Sequence, residues 1–108
     1  MQHVIDVQTT AQTDTALIAD PGDGFKIVIY GAHFGAAGSN DWIIEHGSTT
    51  LCKAFCTAQQ SSVELLPTGG KIEDRRWEAP ASTAVTYTTS AAPDQVIECW
   101  YDVVSTGP

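Results

Sequence analysis

The sequence of 108 residues has the length of a single domain. Its formal net charge of −8, from 13 acidic and 5 basic residues, disfavours binding to nucleic acids and anionic membranes, because both need a basic surface. No apolar run approaches the roughly 20 residues of a membrane-spanning helix, and the first residues lack the pattern of a signal peptide. We therefore expect a protein made and folded in a cytoplasm, with neither nucleic acid nor membrane as a partner.

Apolar and polar residues alternate along most of the chain, which predicts β-strands. Turn-forming stretches such as residues 20–24 (DPGDG) separate them, and no segment has three turns of helical periodicity. The sequence therefore predicts an all-β fold, a single-domain antiparallel β-sandwich or jelly roll of about seven or eight strands. The predicted strands cover residues 4–10, 15–19, 25–34, 42–46, 51–58, 61–66, 84–89 and 95–104.

The first 14 residues have two possible roles, and residues 15–108 form the β-sandwich domain in either case. Residues 4–10 alternate like a strand, but residues 11–14 (AQTD) contain no glycine or proline turn that would direct a hairpin back onto the domain. The segment is therefore either the first strand of the sandwich or an extended arm. As an arm it would add to a neighbouring chain and bury Val4, Ile5 and Val7 there.

The strand predicted at residues 25–34 (FKIVIYGAHF) has apolar residues on both of its faces. A strand of this kind must be covered on both sides, by a second sheet or by a neighbouring subunit. Three tryptophans add apolar surface that a small chain has to hide. We therefore expect self-association with closed symmetry, and a trimer is the expected form.

The three cysteines predict neither a metal site nor a disulfide. Cys52 and Cys56 lie on one strand face, about 13 Å apart along the chain, which is too far for a single metal ion or a disulfide. Cys99 has no second cysteine nearby in the sequence, and an odd number of cysteines fits free thiols in a reducing compartment. We expect three small buried side chains and no cofactor.

The sequence does not predict an enzyme. No serine lies in the G-x-S-x-G pattern of a nucleophile elbow, and the only candidate bases are three histidines, His3, His33 and His46. Carboxylates in the middle of strands alternate with apolar residues, as on the polar outer face of a sheet rather than in a glycosidase cleft. These carboxylates are Glu45, Glu64 and Glu98.

The tryptophans suit three roles: ordinary core, anchors of a subunit interface, or a platform that binds sugar rings. The charged segment at residues 71–76 (KIEDRR) is more typical of a solvated loop than of a site. The residues predicted at an interface are apolar side chains of the N-terminal segment together with the tryptophans and two arginines: Val4, Ile5, Val7, Trp42, Arg75, Arg76, Trp77 and Trp100.

Four segments occur in an order that resembles small structural proteins of tailed-phage virions. They are residues 14–19 (DTALIA), 24–31 (GFKIVIYG), 42–51 (WIIEHGSTTL) and 96–104 (VIECWYDVV). Proteins of this group have compact jelly-roll folds, often decorate or cement the capsid, and are frequently trimers. The resemblance implies a protein of the capsid surface that binds the major capsid protein, and it brings no catalytic residues.

Three functions remain open. The sequence favours a non-enzymatic capsid decoration or cement protein that stiffens the head by burying surface across subunit junctions, or a related minor head or tail component. The second is a carbohydrate- or receptor-binding module that uses a tryptophan platform. The third is a very small hydrolase.

Overall fold

The computed structural model describes residues 1–47, 49–56, 61–67, 76–91 and 94–106, with the backbone alone at residues 55, 56 and 61–63. These residues contain strands and turns, and none of them is helical. In this part of the chain there is accordingly no helix of the length and hydropathy needed to cross a membrane. The strands are β1 (Gln2–Gln8), β2 (Thr15–Ile18), β3 (Phe25–Ala36), β4 (Asn40–His46), β5 (Thr49–Cys56), β6 (Ser61–Leu65), β7 (Trp77–Glu78), β8 (Val85–Thr89) and β9 (Gln95–Ser105).

The strands form two antiparallel sheets. Sheet A has the order β1-β9-β3-β6, and the two-residue strand β7 also pairs with β3. Sheet B has the order β2-β8-β4-β5. Apart from β7, the eight longer strands of the described residues are distributed between the sheets in the order of a jelly roll. The predicted fold class, an antiparallel all-β sandwich, is therefore confirmed.

The core lies between the two sheets and is centred on Trp42 and Phe34. Trp42 is fully buried, and its ring lies against that of Phe34 with 5.4 Å between the centroids. Each large apolar side chain that is fully buried contributes about 1.5–3 kcal/mol to folding, so this layer holds the sheets together. Around the pair lie Leu17, Ile18, Ile27, Ile29, Ala32, Ile44, Val85, Tyr87, Ile97 and Cys99.

A β-bulge in β3 changes the face on which its side chains lie. The pairing with β9 shifts register between Ile29 and Gly31, which leaves Tyr30 as one extra residue in β3. Ile29 and Phe34, which strict alternation would place on opposite faces, therefore both point into the core. Strict alternation from Ile29 predicts Ala32 and Phe34 on the opposite face of the strand, and this prediction is wrong because the bulge returns both residues to the core.

Residues 2–8 form an edge strand of the domain itself. β1 pairs with β9 along its whole length without a bulge, and no described strand pairs with its other edge. Alternation turns Val4 towards the core and leaves Ile5 and Val7 exposed. The Tyr87 hydroxyl in sheet B donates a hydrogen bond to Asp6, which ties β1 to the opposite sheet.

Candidate docking surface

The side of sheet A that faces away from sheet B collects most of the exposed apolar side chains. Core-facing pairs such as Val4 with Cys99 fix which side chains point inward, so the residues that alternate with them point outward. We call this surface the outer face. It consists of His3, Ile5 and Val7 of β1, Val96, Glu98 and Trp100 of β9, Gly31, His33 and Gly35 of β3, and Glu64 of β6, with Met1 and Leu66 at its margin.

Four of the six large hydrophobic side chains that are exposed in the described part of the chain belong to the outer face. Ile5 is 55% exposed, Val7 65%, Leu66 60% and Met1 77%. A group of exposed apolar side chains covering a few hundred Å² is typical of a surface that binds another molecule. The half-buried side chains of Val96 and Trp100 lie between them and extend the apolar surface.

At the centre of the outer face, two histidines flank one carboxylate. His3 Nε2 lies 2.8 Å from Oε2 of Glu98, and His33 Nδ1 lies 3.1 Å from Oε1 of the same carboxylate. The His3 ring also stacks on Trp100, with 5.1 Å between the centroids. The three polar residues come from three different strands and meet through the sheet register, so no local pattern in the sequence predicts them as a cluster.

The first of two depressions on the outer face lies above Gly31 and has a volume of about 410 Å³. Because glycine has no side chain, the surface of β3 is low here, while Trp100 and Leu66 contribute apolar walls. A Cβ at Gly31 would lie 3.0 Å from Cδ2 of Leu66, so the position of Leu66 depends on glycine there. The carboxylate of Glu64 and the side chain of Met1 complete the depression.

The second depression lies above Gly35, two residues beyond His33 on the same face of β3, and has a volume of about 400 Å³. Val7 and Val96 contribute its apolar side, and the acidic residue Asp94 lies at its margin. The two depressions are thus separated by the contact between His33 and Glu98, and each combines an apolar side with an acidic group.

Asp102 lies near the first depression and already has two partners. The N-terminal amino group lies 3.1 Å from its Oδ1, and the Tyr30 hydroxyl donates a hydrogen bond of 3.1 Å to its Oδ2. Burial and, after it, this hydrogen bond raise the pKa of Tyr30, while the charge of Arg76 acts in the opposite direction. Glu64 differs from Asp102, because no described residue forms a hydrogen bond or an ion pair with its carboxylate.

A larger depression, of about 600 Å³, lies beside sheet B. Its two carboxylates are those of Asp14 and Glu45, and Glu45 accepts a hydrogen bond of 2.7 Å from the Thr88 hydroxyl. Among the described residues that line this depression there is no histidine, cysteine or aromatic side chain.

The three tryptophans do not share a surface. Trp42 is fully buried in the core and offers no area to a partner, and Trp77 is half-buried against the core. Only Trp100 lies on the outer face. A binding platform made of several tryptophans is therefore incompatible with this monomer.

The other residues predicted at an interface belong either to β1 or to the charged segment at residues 71–76. Ile5 and Val7 lie on the outer face, whereas Val4 packs against the core. Arg76 is exposed and lies close enough to Tyr30 to affect its pKa. Arg75 lies outside the described residues.

The cysteines whose side chains the structure describes, Cys52 and Cys99, are expected to be unreactive. Cys52 and Cys99 are free, and burial raises the pKa of each thiol from 9.0 to about 12. Both thiols therefore stay protonated at neutral pH and are poor nucleophiles. The described residues contain no group of three or more histidine, cysteine or carboxylate side chains placed to hold a metal ion. What the outer face offers is apolar contact, hydrogen bonding and negative charge.

No family model, curated protein or solved structure gave a significant match to this chain.

Proposed function

We propose that this protein is a non-enzymatic structural protein of a tailed-phage virion, which decorates or cements the capsid by docking through the outer face. The observation that carries the proposal is the collection of exposed apolar side chains, Met1, Ile5, Val7 and Leu66, on one face of one sheet. The order of sequence segments typical of virion proteins and the jelly-roll order of the strands support it.

The composition of the outer face suits docking on a larger assembly. A stable interface buries about 800 Å² on each partner, with an apolar centre and a polar rim. The apolar side chains of the outer face supply the centre, and Glu64, Glu98 and the two histidines beside it supply polar groups. Many copies bound to one particle would turn modest contacts into firm attachment through avidity.

The edge of β1 supports self-association as part of the same proposal. Along its seven residues β1 contains no proline, lysine, arginine or bulge, which are among the features that commonly protect the edge strands of monomeric proteins. Its one inward-pointing charge, Asp6, is engaged by the Tyr87 hydroxyl. A neighbouring copy can therefore add a strand to this edge. We propose a homo-oligomer, and a ring of three copies is a closed form in which each β1 would pair with a different edge of the next copy.

Virions of the phage that encodes the protein provide the direct test. Mass spectrometry of purified particles should detect the chain in many copies, and gold-labelled antibodies should mark the heads. Label on tails would instead favour a minor tail component, and absence from washed particles would contradict the proposal.

Paired variants test whether the outer face does the docking. Val7→Lys places a charge within the exposed apolar surface and should abolish binding to particles that lack the protein. Phe25→Lys is the matched control, because Phe25 is 44% exposed but lies outside the outer face. Equal binding by both variants would move the docking site elsewhere.

A carbohydrate- or receptor-binding module remains the second candidate, and one observation favours it. Trp100 stands beside a depression that also contains the Glu64 carboxylate, and a single aromatic wall with one polar group can hold a sugar ring. Titration with a panel of glycans separates the candidates. Saturable binding that Trp100→Ala removes would favour the second function over the first.

A further inference from the structure

We propose that the outer face binds an extended basic segment of a partner protein, with two cationic side chains four residues apart seated in the two depressions. The inference rests on the proposed function, since it names the chemistry of the partner that docks on the same face. The lining of each depression, the distance between the two and the charge around them support this assignment.

The first depression fits the side chain of an arginine or lysine. Such side chains lay their methylene groups on apolar surface and keep the charged end near a carboxylate. Trp100 and Leu66 provide the apolar surface, and the exposed Glu64 provides a carboxylate that no described residue engages.

The second depression has the same combination of groups. Val7 and Val96 form its apolar side, and Asp94 is exposed at its margin. The described contacts of Asp94 involve its backbone carbonyl, which accepts a hydrogen bond of 2.9 Å from the amide of Ala37, so its carboxylate is available. Two sites with the same chemistry on one face are better explained by one repeated ligand group than by two unrelated ligands.

The distance between the depressions selects the spacing of the partner's residues. Gly31 and Gly35, which form their floors, are four residues apart on β3 and hence about 13 Å apart along the strand. An extended partner segment lying along β3 places residues four apart on one side at the same distance, whereas residues three apart point to opposite sides. The contact between His33 and Glu98 lies under the middle of the segment.

The charge around the outer face attracts a basic partner. The chain carries a net charge of −8, and two nearby cations are already engaged, the N-terminus with Asp102 and Lys26 with Glu78. Arg76 lies near Tyr30, and its positive charge would oppose a cation at the first depression. A long-range attraction of this kind speeds the encounter with a basic segment and weakens as salt is added.

The binding experiment uses the full-length protein and fluorescein-labelled peptides of about nine residues, long enough to span about 13 Å in extended form. The first peptide alternates threonine and valine, with two arginines four residues apart. In the second the arginines are three residues apart, and in the third glutamates replace the arginines of the first. Fluorescence polarisation should rank the first peptide tightest and the third weakest, with the preference falling as salt rises. Equal binding of the first two peptides, or no binding, would overturn the inference.

Variants locate the site. Glu64→Gln and Asp94→Asn should each weaken the first peptide by about two- to fivefold, as expected for an exposed ion pair. Asp41→Asn, which removes an exposed carboxylate from sheet B, should leave binding unchanged. Loss of binding in all three variants would indicate a nonspecific effect of net charge and would contradict the proposed site.

The outcomes separate this inference from the proposed function. A protein found on virions that shows no preference among the peptides would keep its structural role, with a partner of different chemistry. A protein absent from virions that binds the first peptide through Glu64 and Asp94 would keep the docking surface but lose the virion role. Saturable glycan binding at Trp100 would contradict the basic-segment assignment of the first depression.

Discussion

Trp42 lies at the centre of the core and also carries a buried N–H group without a hydrogen-bond partner among the described residues. A buried donor without a partner costs about 1–3 kcal/mol. Burial of the indole rings stabilises the folded state, so we expect a substitution by an apolar ring to cost less than one by a small side chain.

We therefore expect Trp42→Phe to change the free energy of unfolding by about 1 kcal/mol or less, because relief of the unpaired N–H offsets the lost contacts. Trp42→Ala should cost about 3–5 kcal/mol. Tyr87→Phe is the informative comparison, since it removes a donor that is bonded to Asp6 and should cost about 1.5–3 kcal/mol. Urea unfolding of the variants measures these values, and a loss well above 2 kcal/mol for Trp42→Phe would show that its N–H is bonded.

The thiols of Cys52, which is half-buried, and Cys99, which is buried, make the free energy of unfolding depend on pH in the alkaline range. Burial raises the pKa of Cys52 and Cys99 from 9.0 to about 12, so the unfolded chain releases these protons at a lower pH than the folded chain. The free energy of unfolding should therefore be unaffected by these thiols below pH 9.0 and fall as pH rises from 9.0 towards about 12.

Urea unfolding at a series of pH values measures this decline. Burial and the bond to Asp6 also raise the pKa of Tyr87, which adds to the same trend. The double variant Cys52→Ala/Cys99→Ala should have a shallower decline than the wild-type protein, whatever its stability at neutral pH. An unchanged slope would mean that the thiols ionise in the folded state as they do in the unfolded chain.

Strand β1 pairs with β9 along one edge, and its other edge has no partner among the described strands. Its uninterrupted pairing with β9 and the bond from Tyr87 to Asp6 make it part of the domain. We expect deletion of residues 1–8 to lower the melting temperature markedly or to unfold the isolated chain, as circular dichroism would record. A truncated chain that melts at the wild-type temperature would show that β1 contributes little to the stability of the sandwich. That result would favour the alternative in which the N-terminal segment is an extended arm.

One edge of β1 has no partner among the described strands, so a neighbouring copy can pair with it. Light scattering at micromolar concentration should give a multiple of the 11.5 kDa of one chain, and three copies is the expected number. Ile5→Lys adds a charge to a side chain that is 55% exposed, so it should reduce the mass towards that of one chain without changing the circular dichroism spectrum. A wild-type mass of 11.5 kDa would refute self-association.

For the whole molecule, the strand positions could be predicted because alternation and turn chemistry are local. The strand predicted at residues 84–89 occurs as Val85–Thr89, and the one at residues 15–19 occurs as Thr15–Ile18. The two-residue strand Trp77–Glu78 is too short to show alternation. The bulge at Tyr30 is not local either, because it exists only relative to the partner strand.

The candidate site could be predicted only in part for the same reason. Apolar residues in β1 can be identified one at a time, and the sequence predicts Val4, Ile5 and Val7 at an interface. The sequence does not show that Val4 packs against the core while Ile5 and Val7 are exposed. The cluster of His3, Glu98 and His33 joins residues from both ends and the middle of the chain, so it requires the register. The burial of Trp42 likewise depends on its position opposite Phe34 in the other sheet.

The positions of β8 and β9 have a consequence for the synthesis of the protein. β9 lies between β1 and β3 in sheet A, and β8 lies between β2 and β4 in sheet B. The earlier strands therefore leave the ribosome before the strands that lie between them in each sheet. Their apolar faces stay uncovered until residues 85–105 have been synthesised. Sheets assembled from such distant segments fold in milliseconds to seconds. The nascent chain should thus stay sensitive to proteases and dependent on chaperones until its last strand emerges, and then close in one late step.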